Sequence, residues 1–390
     1  MQLTSRQRRV LVLAGLAVAL AGFNGSVLVL TLPAVAAEFS ASVRALSNLG
    51  SVLALGALGA LPLAALADRT GRRRLVAVGT AGFSAGSVVS AVAPSVAVLA
   101  GARVFSVCFE ALVGSVAIAL VVEEMPRDRR GLAVSVLTIA GGVGAALVTF
   151  SYPAIAPHWR WLYWAGSAGL PAAVYLWRAL PEGSTWLAAT HVRTGLAVLG
   201  ERPWQRRILV LAAATVLAAV LLEPAGLFYT LYASRSLHFS PAQISGVTVA
   251  AGFLGGGAFY LGGWLSDRVG RRSLGASLQA ATAVAASLTF TAGVAGFFVG
   301  NVAWSALASA ATPVLGAWSA ELFPTRARAT AEAVGGVAGA VGGVAGLQLV
   351  GLLEPGLGLG VGLAVTGLFA FAGAGLLLLL PETRGAPLPE

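Results

Sequence analysis

Three ionisable side chains stand inside long apolar runs of this 390-residue chain: Arg103, Glu110 and Glu223. A charge at the centre of a bilayer costs roughly 2.5 to 3.5 kcal/mol on insertion scales, so such groups are kept where they carry protons, hold a polar ligand or pair with another charge. Arg103 and Glu110 are seven residues apart; on one helix they share a face and are separated by about 10 Å of axial rise, too far for a rigid direct pair but a gap that a flexible arginine stem or a water can shorten. Three roles fit Glu110: a proton site, a ligand for a polar or cationic substrate, or a structural partner of Arg103. Glu223 precedes Pro224, which removes a backbone donor and loosens the turn before it. That predicts either an interrupted helix whose freed carbonyls face a cavity together with Glu223, or a kink with Glu223 snorkelling toward water. Tyr229 and Tyr232 follow; they supply hydrogen-bonding surface at that site or belong to an interfacial aromatic belt.

A second set of charges lies in turns. Asp68-Arg69-Thr70-Gly71-Arg72-Arg73 recurs as Asp267-Arg268-Val269-Gly270-Arg271-Arg272, an offset of 199 residues. Glu123-Glu124-Met125-Pro126 with Arg130 recurs as Glu321-Leu322-Phe323-Pro324 with Arg328, an offset of 198, and Pro181-Glu182 recurs as Pro381-Glu382, an offset of 200. Three unrelated motifs at nearly one spacing indicate a duplicated half. Asp68, Glu123, Asp267 and Glu321 beside Arg72, Arg130, Arg271 and Arg328 can form ion pairs across the two halves that are dry when the cytoplasmic end is shut and broken when it opens. The plainer account is that the arginines set topology and bind anionic headgroups.

The elements that must position these groups follow from composition. Hydrophobic residues make up 57% of the chain and charged residues 10%, with mean hydropathy +0.86, far from the charged content of a soluble domain. The net charge is +10, carried entirely by arginine, but the arginines cluster between apolar runs rather than on one soluble face, which argues against nucleic acid. Spanning runs are expected at 10–32, 45–66, 75–93, 96–122, 131–155, 160–180, 208–232, 243–265, 274–293, 295–319, 329–352 and 357–380. The short-period alternation of a membrane β-barrel is missing. The fold class is an all-α membrane protein: twelve transmembrane helices in two pseudo-symmetric six-helix halves, 1–180 and 208–390, joined by a cytoplasmic linker at 181–207, the halves related by an axis along the membrane normal. The run from Val10 to Leu32 exceeds the roughly 7 to 15 residues of a signal core and reads as a retained first helix. Nearly all arginines, except Arg44, Arg103, Arg160 and Arg235, fall on the side of the N-terminus, which places both termini in the cytoplasm and the chain in the cytoplasmic membrane.

Cys108 is the single cysteine, and His158, His191 and His238 lie far apart in predicted connections, so no metal site, cofactor or nucleophile–base pair is expected and no enzyme reading has residues to rest on. The run 329–352 carries Gly335, Gly336, Gly339, Gly342, Gly343 and Gly346 at spacings of three and four, a face for close helix packing or sliding.

The turn Ala64-Ala65-Leu66-Ala67-Asp68-Arg69-Thr70-Gly71-Arg72-Arg73 resembles the signature between helices 2 and 3 of the major facilitator superfamily, Gly-x-Leu-Ala-Asp-Arg-x-Gly-Arg-(Arg/Lys). Ala64 replaces the first Gly, which the second copy, Gly263 to Arg272, retains. Within that superfamily the chain is most similar to the sugar porters and metabolite–proton symporters. Pro381-Glu382-Thr383-Arg384-Gly385 looks like their signature after helix 12, Pro181 to Leu187 like a degraded form of the one after helix 6, Arg103 like their helix 4 arginine, and Glu123 or Glu124 with Arg130 like their helix 4–5 turn. Helix 5 reads Ala140-Gly141-Gly142-Val143-Gly144-Ala145 and lacks the Gly-Pro of drug antiporters.

The resemblance implies a secondary active transporter that moves a small polar metabolite, sugar- or organic-acid-like, by alternating access through a central cavity. Asn24, at about the depth of Arg103, stands where proton-coupled sugar porters carry Asp, and it cannot titrate. Either Asn24 is a neutral substrate ligand in a facilitator, or the proton site has moved to Glu110 or Glu223, with Tyr229 nearby. A multidrug or organic-cation efflux antiporter is the alternative, and an uncoupled facilitator or transporter-like sensor the second. The implied partners are a small-molecule substrate and the lipid bilayer, with no nucleic acid, no cofactor beyond a proton, and a monomer as the functional unit.

Overall fold

In hydrocarbon every backbone N–H and C=O must be satisfied within the protein, which leaves helices as the spanning structure for so apolar a chain. The computed structural model describes residues 3–60, 62–63, 71–126, 129–182, 200–324 and 327–384, and these are helical nearly throughout. The helices are α1 (Ser5–Glu38), α2 (Val43–Leu58), α3 (Arg72–Ala91), α4 (Val96–Glu124), α5 (Arg130–Ile155), α6 in two pieces (Arg160–Gly166 and Gly169–Ala179), α7 (Arg202–Arg235), α8 (Pro241–Val269), α9 (Arg271–Thr291) and α10 (Gly293–Leu322). The last stretch, Arg328–Leu377, is divided at Gly358, whose φ of 77° no helix accommodates, into α11 (328–357) and α12 (359–377). Among the described residues nine helical stretches are long and apolar enough to cross a membrane. The stretch broken at Gly358 carries two crossings, and α2 and the two-piece α6 complete the twelve.

Local sequence sets several starts. Thr4 and Gln7 form a reciprocal cap at α1, Ser240 and Gln243 form the same cap at α8, and Ser95 accepts from the Val98 amide at α4. Large side chains such as Phe253, Leu254, Tyr260 and Leu261 of α8 are exposed, as a lipid-facing surface requires.

The chain forms two compact units, Met1–Ala41 with Leu55–His191 and Ser42–Ala54 with Val192–Glu390. In the first, α1 packs on α5 so closely that a Cβ on Gly22 or Gly144 would run into the facing main chain at Gly141 or Ala19; in the second, Gly342 and Gly346 of α11 meet Val216 and Val220 of α7 in the same way. The glycine face of α11 is thus a packing seam, with Gly335 and Gly336 left open. In the first unit Arg160 also ties three segments, with Nη2 2.6 Å from Glu38 Oε1, Nη1 donating to Ala91 O and Nη2 to Ala93 O, both at 2.9 Å. In the second unit Gln348 of α11 donates to Asn48 Oδ1 at 3.0 Å and Ser51 Oγ at 2.9 Å.

Helix α7 begins at Arg202, inside the stretch predicted as linker, and it runs unbroken through Glu223-Pro224, which removes the interrupted helix of the two readings of that pair. The carbonyl that Pro224 deprives of its donor is that of Val220, and Gly346 of α11 lies directly against it. The freed oxygen is covered by a neighbouring glycine backbone, so the helix needs neither to open nor to turn that carbonyl toward a cavity. Weak Cα–H donation is the interaction such a contact supplies.

Candidate functional site

Arg103 is 1% exposed and lies on α4. Its Nη2 is 3.3 Å from Glu110 Oε1, a direct pair that the axial spacing alone had ruled out for rigid side chains. The reason is the direction of side chains on a helix. Each Cα–Cβ bond tilts toward the N-terminus, so the Glu110 carboxylate hangs back toward Arg103 while the long arginine stem extends to meet it. Gly25 of α1 faces Glu110 Oε2 without a side chain to crowd it.

The same Nη2 donates to the main-chain oxygen of Asn24 at 3.1 Å, and the guanidinium stands 5.9 Å from the Tyr163 ring centroid. Among the described residues Arg103 Nε and Nη1 have no hydrogen-bond partner although both are buried. The Asn24 side chain is fully buried and occupied: Nδ2 donates to Leu20 O at 3.1 Å and Oδ1 accepts from Ser87 Oγ at 2.5 Å. Asn24 therefore meets Arg103 through its backbone, with its amide spent on α1 and α3.

The repeat places Glu223 at the position of Asn24, 199 residues on, and Asn301 at that of Arg103, 198 residues on. Glu223 is exposed, packs over Gly343 of α11, and has no ion pair among the described residues. Asn301 of α10 is 3% exposed and its Nδ2 has no partner among them. Tyr229 is half-buried, with its hydroxyl 3.1 Å from Thr248 Oγ1 on α8. Tyr232 is no belt residue: it is buried against Phe290 and Phe297 and donates to Phe290 O at 2.9 Å.

The charged ends repeat almost atom for atom. Gly71 at φ 94° and Gly270 at φ 109° turn the chain into α3 and α9, and neither supplies a capping side chain. The orphan amides of those helix starts take carboxylates from afar. Glu182 Oε1 accepts from Arg73 N at 3.0 Å, and Glu382 accepts from Arg271 N at 2.9 Å and Arg272 N at 3.0 Å. Backbone donors from Arg271, Arg384, Arg272 and Thr383 together outweigh the upward push of burial and hold the Glu382 carboxyl below its ordinary value. In the sequence these two glutamates were visible as repeat markers and as part of the signatures after helices 6 and 12, with no role assigned to their carboxylates. The signal that would have found their role is a helix beginning at glycine with no Ser, Thr, Asp or Asn to cap it.

Arg72 pairs with Glu123, and Arg271 with Glu321 (Nε to Oε2, 2.7 Å) and Asp267 (Nη1 to Oδ1, 3.3 Å). Glu124 takes Arg6 at 3.1 Å, an arginine the motifs did not flag. Arg130 and Arg328 have another occupation than the expected glutamates. Each donates through Nε to the carbonyl five residues before it, Met125 O at 3.3 Å and Phe323 O at 3.2 Å, and so braces its own turn. Each of these ion pairs closes within one unit. Asp68 lies outside the described residues.

A family model described as the Major Facilitator Superfamily matches residues 14–232 and again 211–390, covering both repeats. The chain belongs to this superfamily. Its apolar helices and this family make it a multi-pass membrane protein. Among its relatives in the superfamily, a chloramphenicol resistance protein of Streptomyces lividans is 30% identical over 260 residues, 62% of this chain and 65% of that protein, just under two thirds of its length. NiaP of Bacillus subtilis, assigned to niacin/nicotinamide transport, is 27% identical over 367 residues, 89% of this chain and 88% of that one. The crystal structure of a D-xylose-proton symporter superposes with a TM-score of 0.79 at 19% identity, covering 98% of this chain and 99% of that one, a likeness of fold.

Proposed function

We propose that the chain is a secondary active transporter that moves a small polar metabolite, sugar- or organic-acid-like, by alternating access, with Glu110 carrying a coupled proton and Arg103 holding substrate oxygen atoms. The observation that carries this reading is the buried Arg103–Glu110 pair together with the two unused donors of Arg103. With Glu110 ionised, the guanidinium is neutralised by its neighbour. Protonation removes that compensation, and an uncompensated charge in the interior is costly. A substrate carboxylate or hydroxyl oxygen can then take the partner's place with charge-assisted hydrogen bonds to Nε and Nη1. Proton and substrate thereby favour each other at one site, which is what coupling requires.

In the same reading both termini and the arginine-rich turns face the cytoplasm, and a single chain is the working unit. The Arg72–Glu123 and Asp267–Arg271–Glu321 pairs, each inside one unit, brace the charged turns at that end, and the gate role of these turns and of Asp68, the repeat counterpart of Asp267, rests on contacts they make to the other half when that end shuts. The relative named for niacin/nicotinamide transport supports the substrate class. The test is flux in liposomes with and without a pH gradient, using sugars and organic acids first selected by thermal shift. Undiminished pH-driven accumulation by the double variant Glu110→Gln, Glu223→Gln would refute the proton assignment.

One observation favours export of organic cations as a second reading. Glu223, exposed on a spanning helix and without an ion pair among the described residues, offers a carboxylate to a cation. Proton release stimulated by added cations, and lost in Glu223→Gln, would decide for it.

A further inference from the structure

At the arginine-rich end of the second unit, the starts of α7 and α9 and the residues just after α12 line an open cavity of about 460 Å³. Arg206, Arg207 and Arg272 line it together with Val210, Leu379 and Leu380. Arg207 is held in place, donating through Nη1 to Leu322 O at 3.0 Å and lying 4.9 Å from the Trp204 ring centroid. Arg206 and Arg272 are exposed and form no ion pair among the described residues. Two carboxylates lie close by in sequence. Glu382 is occupied by the backbone amides of Arg271 and Arg272, and Glu201 stands at the start of α7. Three cations against these leave the cavity positive.

Leu378 and Leu379 of the lining are 45% and 57% exposed, and Leu209, next to Ile208 and Val210 on α7, is 62% exposed. Guanidiniums at the ends of spanning helices, with bare leucines immediately beside them, fit a phosphodiester joined to acyl chains. Arginine presents its donors in a planar fork that matches phosphate oxygens two at a time, and basic pockets between spanning helices recognise acidic headgroups. Free phosphate would have no use for the leucine shelf.

We propose that this cavity binds an anionic phospholipid, its phosphate held by Arg206, Arg207 and Arg272 and its chains laid against Leu209, Leu378 and Leu379. The site is independent of the transport reading above. Native mass spectrometry of the purified full chain, titrated with phosphatidylglycerol and with phosphatidylcholine, tests it. Wild type retains phosphatidylglycerol in preference to phosphatidylcholine. Arg206→Gln, Arg272→Gln binds phosphatidylglycerol more weakly by a factor on the order of 30. Arg8→Gln, Arg9→Gln removes the same charge from exposed positions at the start of α1 and leaves the affinity unchanged. Matching thermal melts in phosphatidylcholine exclude misfolding as the cause. Equal retention of the two lipids by wild type, equal loss in both double variants, or displacement of the lipid by glycerol phosphate at matched concentration overturns the proposal, the last by showing a site for the soluble headgroup alone.

Discussion

Arg103 Nη2 stands 3.3 Å from Glu110 Oε1 on its own helix and 3.1 Å from the main-chain oxygen of Asn24 on α1, so one guanidinium nitrogen binds two elements and one titratable group. Both side chains are largely buried, and removing either alone leaves the other's charge uncompensated. Glu110→Leu or Arg103→Met should each lower stability by about 3 to 5 kcal/mol, while the double variant should recover most of the loss. Thermal unfolding in detergent measures it. A double variant no more stable than the worse single one would show that the pair is not energetically coupled.

The turns into α3 and α9 give a second prediction. A Cβ on Gly71 would meet Glu182 Oε2, and one on Gly270 would meet Glu382 Oε2, each at 2.7 Å, and both glycines hold φ values that side chains avoid. Gly270→Ala should therefore cost about 1 to 3 kcal/mol. Gly316→Ala, in mid-α10 with nothing within 4 Å of the new methyl, should be neutral or stabilising by up to about 1 kcal/mol. Equal melting temperatures for the two variants would remove the backbone argument.

Hydropathy made the twelve crossings legible, because spanning length and charge-free composition are linear properties of the chain. The duplication was legible too, since Asp68 and Asp267, Glu123 and Glu321, and Pro181 and Pro381 keep nearly one offset. What the sequence hid were facts of direction and of neighbours. Spacing along α4 says nothing of which way a side chain leans, so the Arg103–Glu110 pair stood only as one of three roles for Glu110 and its directness was not legible. Pro224 reads as a break in isolation, and only the packing of Gly346 against Val220 shows why α7 stays whole. Arg130 and Arg328 were grouped with glutamates because the two recur together in the repeat, whereas each donates through Nε to a carbonyl of its own turn.

Glu382 gives the pH dependence. Its carboxyl lies below the ordinary value of 4.5 because the ionised form accepts four backbone donors. A depressed folded value means that this contribution is complete above the ordinary value and is lost as pH falls through the depressed one. Wild type should exceed Glu382→Gln in melting temperature by a constant margin at neutral pH, and the margin should shrink only in acid below pH 4.5. A margin that widens on acidification contradicts the assignment of Glu382 as an ionised cap.

Glu223 and Asn301 occupy the repeat positions of Asn24 and Arg103, so the two halves carry opposite charge at matched places: an amide with a cation in the first, a carboxylate with an amide in the second. In the first half the charge is paired within the same helix; in the second Glu223 has no ion pair among the described residues. An exposed group without a partner contributes little to folding, so Glu223→Gln should shift stability by no more than about 0.5 kcal/mol. A carboxylate retained on a spanning helix without a structural partner is expected to meet the transported species or the proton. The same variant should reduce flux in liposomes at least tenfold, with an unchanged melting curve. Unaltered flux would place Glu223 on the lipid-facing side and leave Arg103 and Glu110 as the charged centre of transport.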